Sequence, residues 1–215
     1  MMALTRTSKG GRTQTVADLK RGMILDAARQ VFERDGLDGA SLRAIAAEAG
    51  YTPAALYFHF DSKEALYAEV LGQSLTALRG EVDRAIENVA YPKDRFRKAA
   101  LAFFDFYAAN PRDLDLGFYL FRGGLRPHGL GRERDKQLNE ELEAALSPIR
   151  EAAQSMGADI DLARLIMADT FAHASGVLLL AHTQRLRMFD AQARSLMERY
   201  VDVQIGQLAK GSAGK

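Results

Sequence analysis

The stretch from Ser41 to Leu66, SLRAIAAEAGYTPAALYFHFDSKEAL, constrains this chain more than any other. Ser41 is a side-chain acceptor placed before Leu42, Ile45, Ala46 and Ala49, whose three- and four-residue spacing predicts a short helix with one inward face. Gly50 breaks it. Thr52 followed by Pro53 starts a second helix, because proline at the first helical position gives up no needed hydrogen bond. That helix is short, ending near Phe60. Asp61 and Glu64 then resemble a capping box opening a long helix to about Asn88. Two short helices about a glycine turn have the spacing of a helix-turn-helix, whose second helix fits the major groove of DNA.

Helical periodicity continues on both sides. A first helix is expected from about Val16 to Asp35, with Leu25, Ala28, Val31 and Phe32 on one buried stripe and Gly36 as its left-handed stop. Pro92 and Asn110-Pro111 bracket a helix from about Lys93 to Ala109. A short helix should follow, then a loop over Gly123–Gly131, then a long helix from Arg132 to Met156 that Pro148 should kink or divide. Asp159 or Asp161 caps a strongly apolar helix reaching about Arg185, and a last helix spans Asp190 to Leu208. No alternating run of useful length appears, so no strands are expected. The fold class is all-α, with about nine helices. Residues 1–15 are a flexible basic arm, 16–62 the helix-turn-helix domain, 63–209 a ligand-binding and dimerisation domain, and 210–215 a tail.

The net charge of +1 does not by itself mark a nucleic-acid binder, so affinity for DNA must come from local clustering. It is present at the front, where Arg6, Lys9, Arg12, Lys20 and Arg21 oppose Asp18 alone; this arm suits phosphates, or is simply a solvated terminus. With no cysteine in the chain, disulfides, thiolate metal sites and cysteine nucleophiles are excluded. The N-terminal residues lack the apolar stretch of a secretory signal. The longest aliphatic run, Val177–Ala181, is far shorter than the roughly 20 residues a bilayer demands, so no membrane segment and a cytoplasmic location are expected.

The string A-x-x-A-G-Y-T-P-A-A-L-Y-F-H-F-x-S-K-E-x-L resembles the signature of TetR-family transcriptional regulators at Ala46, Ala49, Gly50, Thr52, Leu56, Tyr57, His59, Phe60, Lys63, Glu64 and Leu66. The likeness covers the N-terminal third; the rest is similar to the family in helix number and length only. It implies a homodimer with two helix-turn-helix heads, and a body whose small-molecule pocket moves the heads apart when filled. Carried over by position, Arg43 is DNA-facing, Thr52 is the capping hydroxyl that meets a phosphate, and Tyr57 and His59 bond the DNA backbone. Lys63 matches a lysine whose amine contacts a phosphate, and a lysine at a helix N-terminus, opposed to the dipole, fits that reading. Leu56 and Phe60 match core positions. Two departures stand out: Tyr51 where a small aliphatic residue is usual, and Ala54 where glycine is frequent. The leading face of Tyr51, Thr52, Pro53, Ala54 and Ala55 lacks the Arg, Lys, Asn or Gln needed for bidentate base reading. Arg43 is therefore expected to supply the main polar base contact, with Pro53, Ala54 and Ala55 against thymine methyls and Tyr51 on a base edge or a phosphate.

In the body, seven of the 18 aromatics lie between Phe103 and Phe121, a density that suits either a packed core or an apolar ligand wall. Phe103, Phe104, Tyr107, Phe118 and Phe121 are the candidate lining, with His173 a candidate polar anchor. A hydrophobic or aromatic effector would match such a lining. Asp169 and His173 stand four apart on a helix, a spacing more typical of a local hydrogen bond than of a metal site, and no metal or cofactor is expected. The helices 162–185 and 190–208 are dimer candidates. Ala174, Ser175 and Gly176 form a patch of small residues there, and Val177–Ala181 is apolar nearly all round, requiring burial within the body or against a partner. No glycine-rich phosphate loop, nucleophile elbow or zinc-protease motif is present, and no enzyme is expected. The reading is a sequence-specific, homodimeric repressor bound to a palindromic operator in double-stranded DNA and released by a small ligand. An effector-independent architectural protein and a ligand-responsive activator are its rivals.

Overall fold

Why a chain like this stays helical throughout is visible at its caps. The structure, a computed structural model, describes residues 9–117 and 129–212. Among them are nine α-helices: α1 (Lys9–Gly39), α2 (Leu42–Glu48), α3 (Pro53–Tyr57), α4 (Lys63–Ile86), α5 (Pro92–Ala109), α6 (Pro111–Gly117), α7 (Arg132–Ser155), α8 (Ile160–His182) and α9 (Ala193–Ser212). No strand occurs among the described residues. They fall into two compact units, one of residues 9–70 with 129–134 and the other of residues 71–117 with 135–212. The division lies inside α4, between Val70 and Leu71, where the boundary was expected at Lys63.

In the first unit, α1 packs with α2 and α2 with α3, and the buried residues are Ile24, Leu25, Ala28, Val31 and Phe32 of α1, Leu42, Ile45 and Ala46 of α2, Leu56 of α3, and Leu66, Tyr67 and Val70 of α4. Phe32 meets Tyr67 edge-on, ring centroids 4.7 Å apart. Helical residues begin at Lys9, inside the stretch expected as an arm, and residues 1–8 lie outside the described residues. Gly36 does break α1, at φ 69° and ψ 177°, before a last turn to Gly39. The hydroxyl that caps α4 is Ser62, whose Oγ accepts from the Ala65 amide at 3.1 Å. The expected Asp61–Glu64 capping box is one residue out of register, because Ser62 is itself an acceptor and lies closer to the helix.

In the second unit, α5 buries Phe96, Ala99, Ala100, Phe103, Phe104 and Tyr107 and packs with α8 and α9. Arg97 pairs with Asp202, and Arg194 with Asp105 at 3.0 Å, joining α5 to α9 at the surface. Of the kink or division expected at Pro148, the division does not occur, since α7 continues through it. Proline cannot donate to the Ala144 carbonyl, and the Ser147 hydroxyl donates to it instead, at 3.1 Å. Asp159 caps α8, its carboxylate accepting from the Leu162 amide at 2.8 Å. The last helix starts at Ala193 rather than Asp190, because a 3-10 turn (Arg185–Phe189) intervenes between left-handed Gln184 and Asp190.

Helix α8 has the length and composition to cross a membrane, with a mean hydropathy of 1.3 over its most apolar window. The short run Val177–Ala181 understated this. The helix packs through Ala163, Ile166, Thr170, Ala174, Val177 and Leu178, and leaves Leu165 62% and Leu179 59% exposed. Of the two alternatives expected for Val177–Ala181, burial within the body holds for Val177 and Leu178 but not for Leu179.

Candidate nucleic-acid interface

A five-residue helix such as α3 cannot persist on its own, since nucleation alone outweighs its few hydrogen bonds. Tertiary and capping interactions hold it. Leu56 is fully buried, worth about 1.5–3 kcal/mol. Thr52 is extended, at φ −76° and ψ 149°, and its Oγ1 accepts from the Ala55 amide at 3.3 Å with Pro53 next in the chain. The preceding turn is equally specified. Gly50 has φ +71°, its amide reaches the Ala47 carbonyl, and the Tyr51 amide reaches the Ala46 carbonyl at 2.8 Å. This paired closure needs a left-handed residue, hence glycine. Ser41 caps α2 in the same manner as Thr52 caps α3, accepting from the Ala44 amide at 3.1 Å.

These constraints turn one surface outward. Arg43, Thr52, Pro53, Ala54, Tyr57 and His59 are exposed, and Tyr51 and Ala55 are half-buried. Arg43 has no ion-pair partner among the described residues, leaving its guanidinium available for a base or a phosphate. Leu56 and Phe60 are buried, as core positions should be. Phe58 was overlooked by the sequence reading. It is 86% exposed beside Tyr57 at 59%, and its ring meets that of His59 edge-on at 5.4 Å. The signal was present, since Leu56 and Phe60 share the buried face four residues apart and Phe58 must project away from both.

Lys63 sits differently from the rest. Its ammonium donates to the carbonyls of Leu37 at 2.8 Å, Asp38 at 3.3 Å and Ala40 at 3.3 Å, at the end of α1.

Residues 24–70 match the profile described as "Bacterial regulatory proteins, tetR family". Over that segment the chain is similar to regulators of the TetR family. Among curated relatives, the HTH-type transcriptional activator FasR of Mycolicibacterium smegmatis is 39% identical over 89 residues, 41% of this chain and 41% of FasR. The transcriptional repressor NicS of Pseudomonas putida is 28% identical over 153 residues, 71% of each chain. The chain thus spans about two fifths of FasR's length and about seven tenths of that of NicS. The regulator FadR of Bacillus subtilis, solved in complex with stearoyl-CoA, superposes with a TM-score of 0.66 over 85% of this chain and 96% of its own, at 17% identity. FasR, NicS and FadR are each named as transcriptional regulators.

The candidate ligand residues are distributed unevenly. Phe103, Phe104 and Tyr107 lie together on α5, each nearly fully buried. Phe103 meets Tyr107 at 5.2 Å and Phe171 of α8 at 5.9 Å, both edge-on. Burial pushes the Tyr107 phenol far above its ordinary range, with Asp113 adding to the effect, so it stays protonated and able to donate. His173 is not part of this group. Its ring stacks on Tyr200 of α9, centroids 4.2 Å apart and planes within 12°. Burial lowers its pKa, opposed in part by its hydrogen bond to the Leu196 backbone. Phe118, Phe121 and most of the 123–131 loop lie outside the described residues. Among the described residues no three His, Asp or Glu side chains form a metal-binding group. Asp169 and His173 therefore acquire no third ligand there. Buried side-chain atoms without a hydrogen-bond partner among the described residues include Ser74 Oγ and Glu141 Oε2, which the sequence did not single out, and Nε2 of His173.

Proposed function

We propose that this protein is a homodimeric, sequence-specific DNA-binding repressor whose hold on a palindromic operator is released by a small ligand. The outward face of α2 and α3 carries the reading. Arg43 supplies the polar base contact, and Pro53, Ala54 and Ala55 lie against thymine methyls. Tyr51 lies at the edge of that face. Thr52, Tyr57 and His59, with the capped helix N-termini, hold phosphates. A cytoplasmic location follows from that task. Selection of DNA from random sequence tests the reading directly.

Dimerisation through α8 and α9 is supported by their exposed faces. Leu165, Ala168, Ala172, Gly176 and Leu179 run along one side of α8, and Val203 and Gly206 lie on the outer side of α9. A glycine inside a helix costs about 1 kcal/mol relative to alanine. At Gly176 and Gly206 nothing within the chain stands within 4 Å of where a Cβ would be, so packing within the chain does not account for either. A second copy approaching closely does. Two-fold pairing would also match a palindromic site.

A ligand in the body is supported by the aromatic set on α5 and by the unpaired buried atoms of Ser74 and Glu141. Each unpaired group costs about 1–3 kcal/mol unless a partner meets it. FadR, whose helical fold this chain shares, was solved in complex with stearoyl-CoA, in keeping with a hydrophobic effector. Helix α4 contributes residues to both units, so a ligand that displaces its second part has a covalent route to the head. A few kcal/mol of differential binding suffices. A second reading, ligand-responsive activation, is favoured by the 39% identity to the activator FasR. Transcription from a promoter bearing the selected operator separates the two.

A further inference from the structure

Lys63 is the first residue of α4, where its positive charge opposes the helix dipole. Such a placement is tolerated when something nearby accepts the charge. A DNA phosphate is one solution. The structure contains another: the carbonyls of Leu37, Asp38 and Ala40, at 2.8, 3.3 and 3.3 Å, all just past the break at Gly36. Carbonyls at a helix end lack intrahelical donors and carry its partial negative charge. An ammonium has three N–H donors, and here three carbonyls take them.

We infer that Lys63 is a positioning residue, which locks the connection between α1 and α2 onto the start of α4 and sets the angle at which the head meets DNA. The locked carbonyls precede Ser41, the cap of α2, and Arg43 lies two residues beyond that cap. Holding residues 37–40 against α4 therefore fixes where the base-reading arginine stands relative to α3. The second tie between the same helices, Arg21 of α1 bonded to Glu69 of α4, leaves this connection untouched because it acts further along α4. The inference rests on the DNA-reading role proposed for the head.

The test compares wild type, Lys63→Met, which keeps the stem, and Lys63→Arg, which keeps donors. Each is measured against the operator selected from random DNA and against random DNA, over a salt series, at a temperature where circular dichroism shows all three folded. Amide exchange at Ala40 and Ala44 is followed in parallel. The methionine variant should lose operator affinity roughly tenfold, the weight of one charge-assisted hydrogen bond. Its affinity for random DNA and its salt slope should be unchanged, its two amides should exchange faster, and arginine should restore most of both. Equal losses on operator and random DNA, with a salt slope shallower by about one, would make Lys63 a phosphate ligand and overturn the inference. Faster exchange with unchanged operator affinity would reduce it to a stabilising contact and overturn it too. A wild-type protein with no preference for any selected sequence would remove the DNA-reading role itself.

Discussion

The guanidinium of Arg21 lies over the ring of Phe60, 4.9 Å from its centroid. The same group bonds Glu69 through Nε at 2.7 Å and through a terminal nitrogen. One side chain thus ties α1 both to the end of the helix-turn-helix and to the second turn of α4. The Arg21 side chain is 45% exposed, so water screens the ion pair. The cation–π contact is worth about 0.5–1 kcal/mol and the pair at most about 1 kcal/mol. Arg21→Ala should lower stability by about 1 kcal/mol, read as a fall in Tm. Arg21→Lys should fall between, since an ammonium cannot serve both partners as a planar fork does. An unchanged Tm in the alanine variant would show that the contact stabilises nothing.

Pro148 and Ser147 make a coupled pair. Removing the Ser147 hydroxyl leaves the Ala144 carbonyl with no donor, at a cost of about 1 kcal/mol. In a Pro148→Ala background the restored amide should take over that carbonyl, and Ser147→Ala should then cost close to nothing. A double-mutant cycle by urea denaturation reads the difference. Equal costs in both backgrounds would mean the hydroxyl does not substitute for the missing N–H.

His173 gives the body a pH dependence. Its pKa is lowered by burial from the ordinary 6.5, so the unfolded chain takes up a proton at a pH where the folded protein does not. The contribution is complete above pH 6.5. It is lost progressively as pH falls below that value toward the folded pKa. Denaturant midpoints at pH 7.5 and 5.5 should differ less in His173→Phe, which keeps a ring against Tyr200 but cannot titrate. The same difference in both proteins would place the dependence elsewhere.

At the proposed subunit face, Leu179 is 59% exposed within one chain. Leu179→Glu would place two unpaired carboxylates in a dimer interface, at a penalty of about 3 kcal/mol or more. Sedimentation should show the dimer dissociation constant raised by at least roughly 100-fold, with the helical content of the chain retained. A variant that remains as dimeric as the parent would move the interface off α8.

Much of this architecture was legible because its signals are local. Ser41, Gly50, Thr52 and Pro53 each specify a cap or a turn within three residues of themselves, and the helix-turn-helix follows from them. The buried stripe of Leu25, Ala28, Val31 and Phe32 was readable from spacing alone. What was missed depends on longer range or on competing acceptors. Ser62 displaces Asp61 as the cap of α4 because both are good acceptors and only packing fixes the register. Pro148 does not break α7 because its neighbour supplies a donor, which helix propensity does not describe. Lys63 finds its carbonyls 23 to 26 residues upstream, a separation no local pattern encodes. The division of α8 into an inward and an outward apolar face needed the packing of α5 and α9 against it.

The most direct test of a groove-reading head is to select DNA from random sequence with the purified protein and repeat the selection with Arg43→Ala. The account predicts a palindrome whose half-sites lie about one helical turn apart, or a multiple of it. It also predicts that the variant relaxes preference at one base position in each half by about 1–3 kcal/mol while keeping the rest of the site. A selection that enriches no sequence, or a variant that loses affinity equally for the selected site and for random DNA, would contradict it.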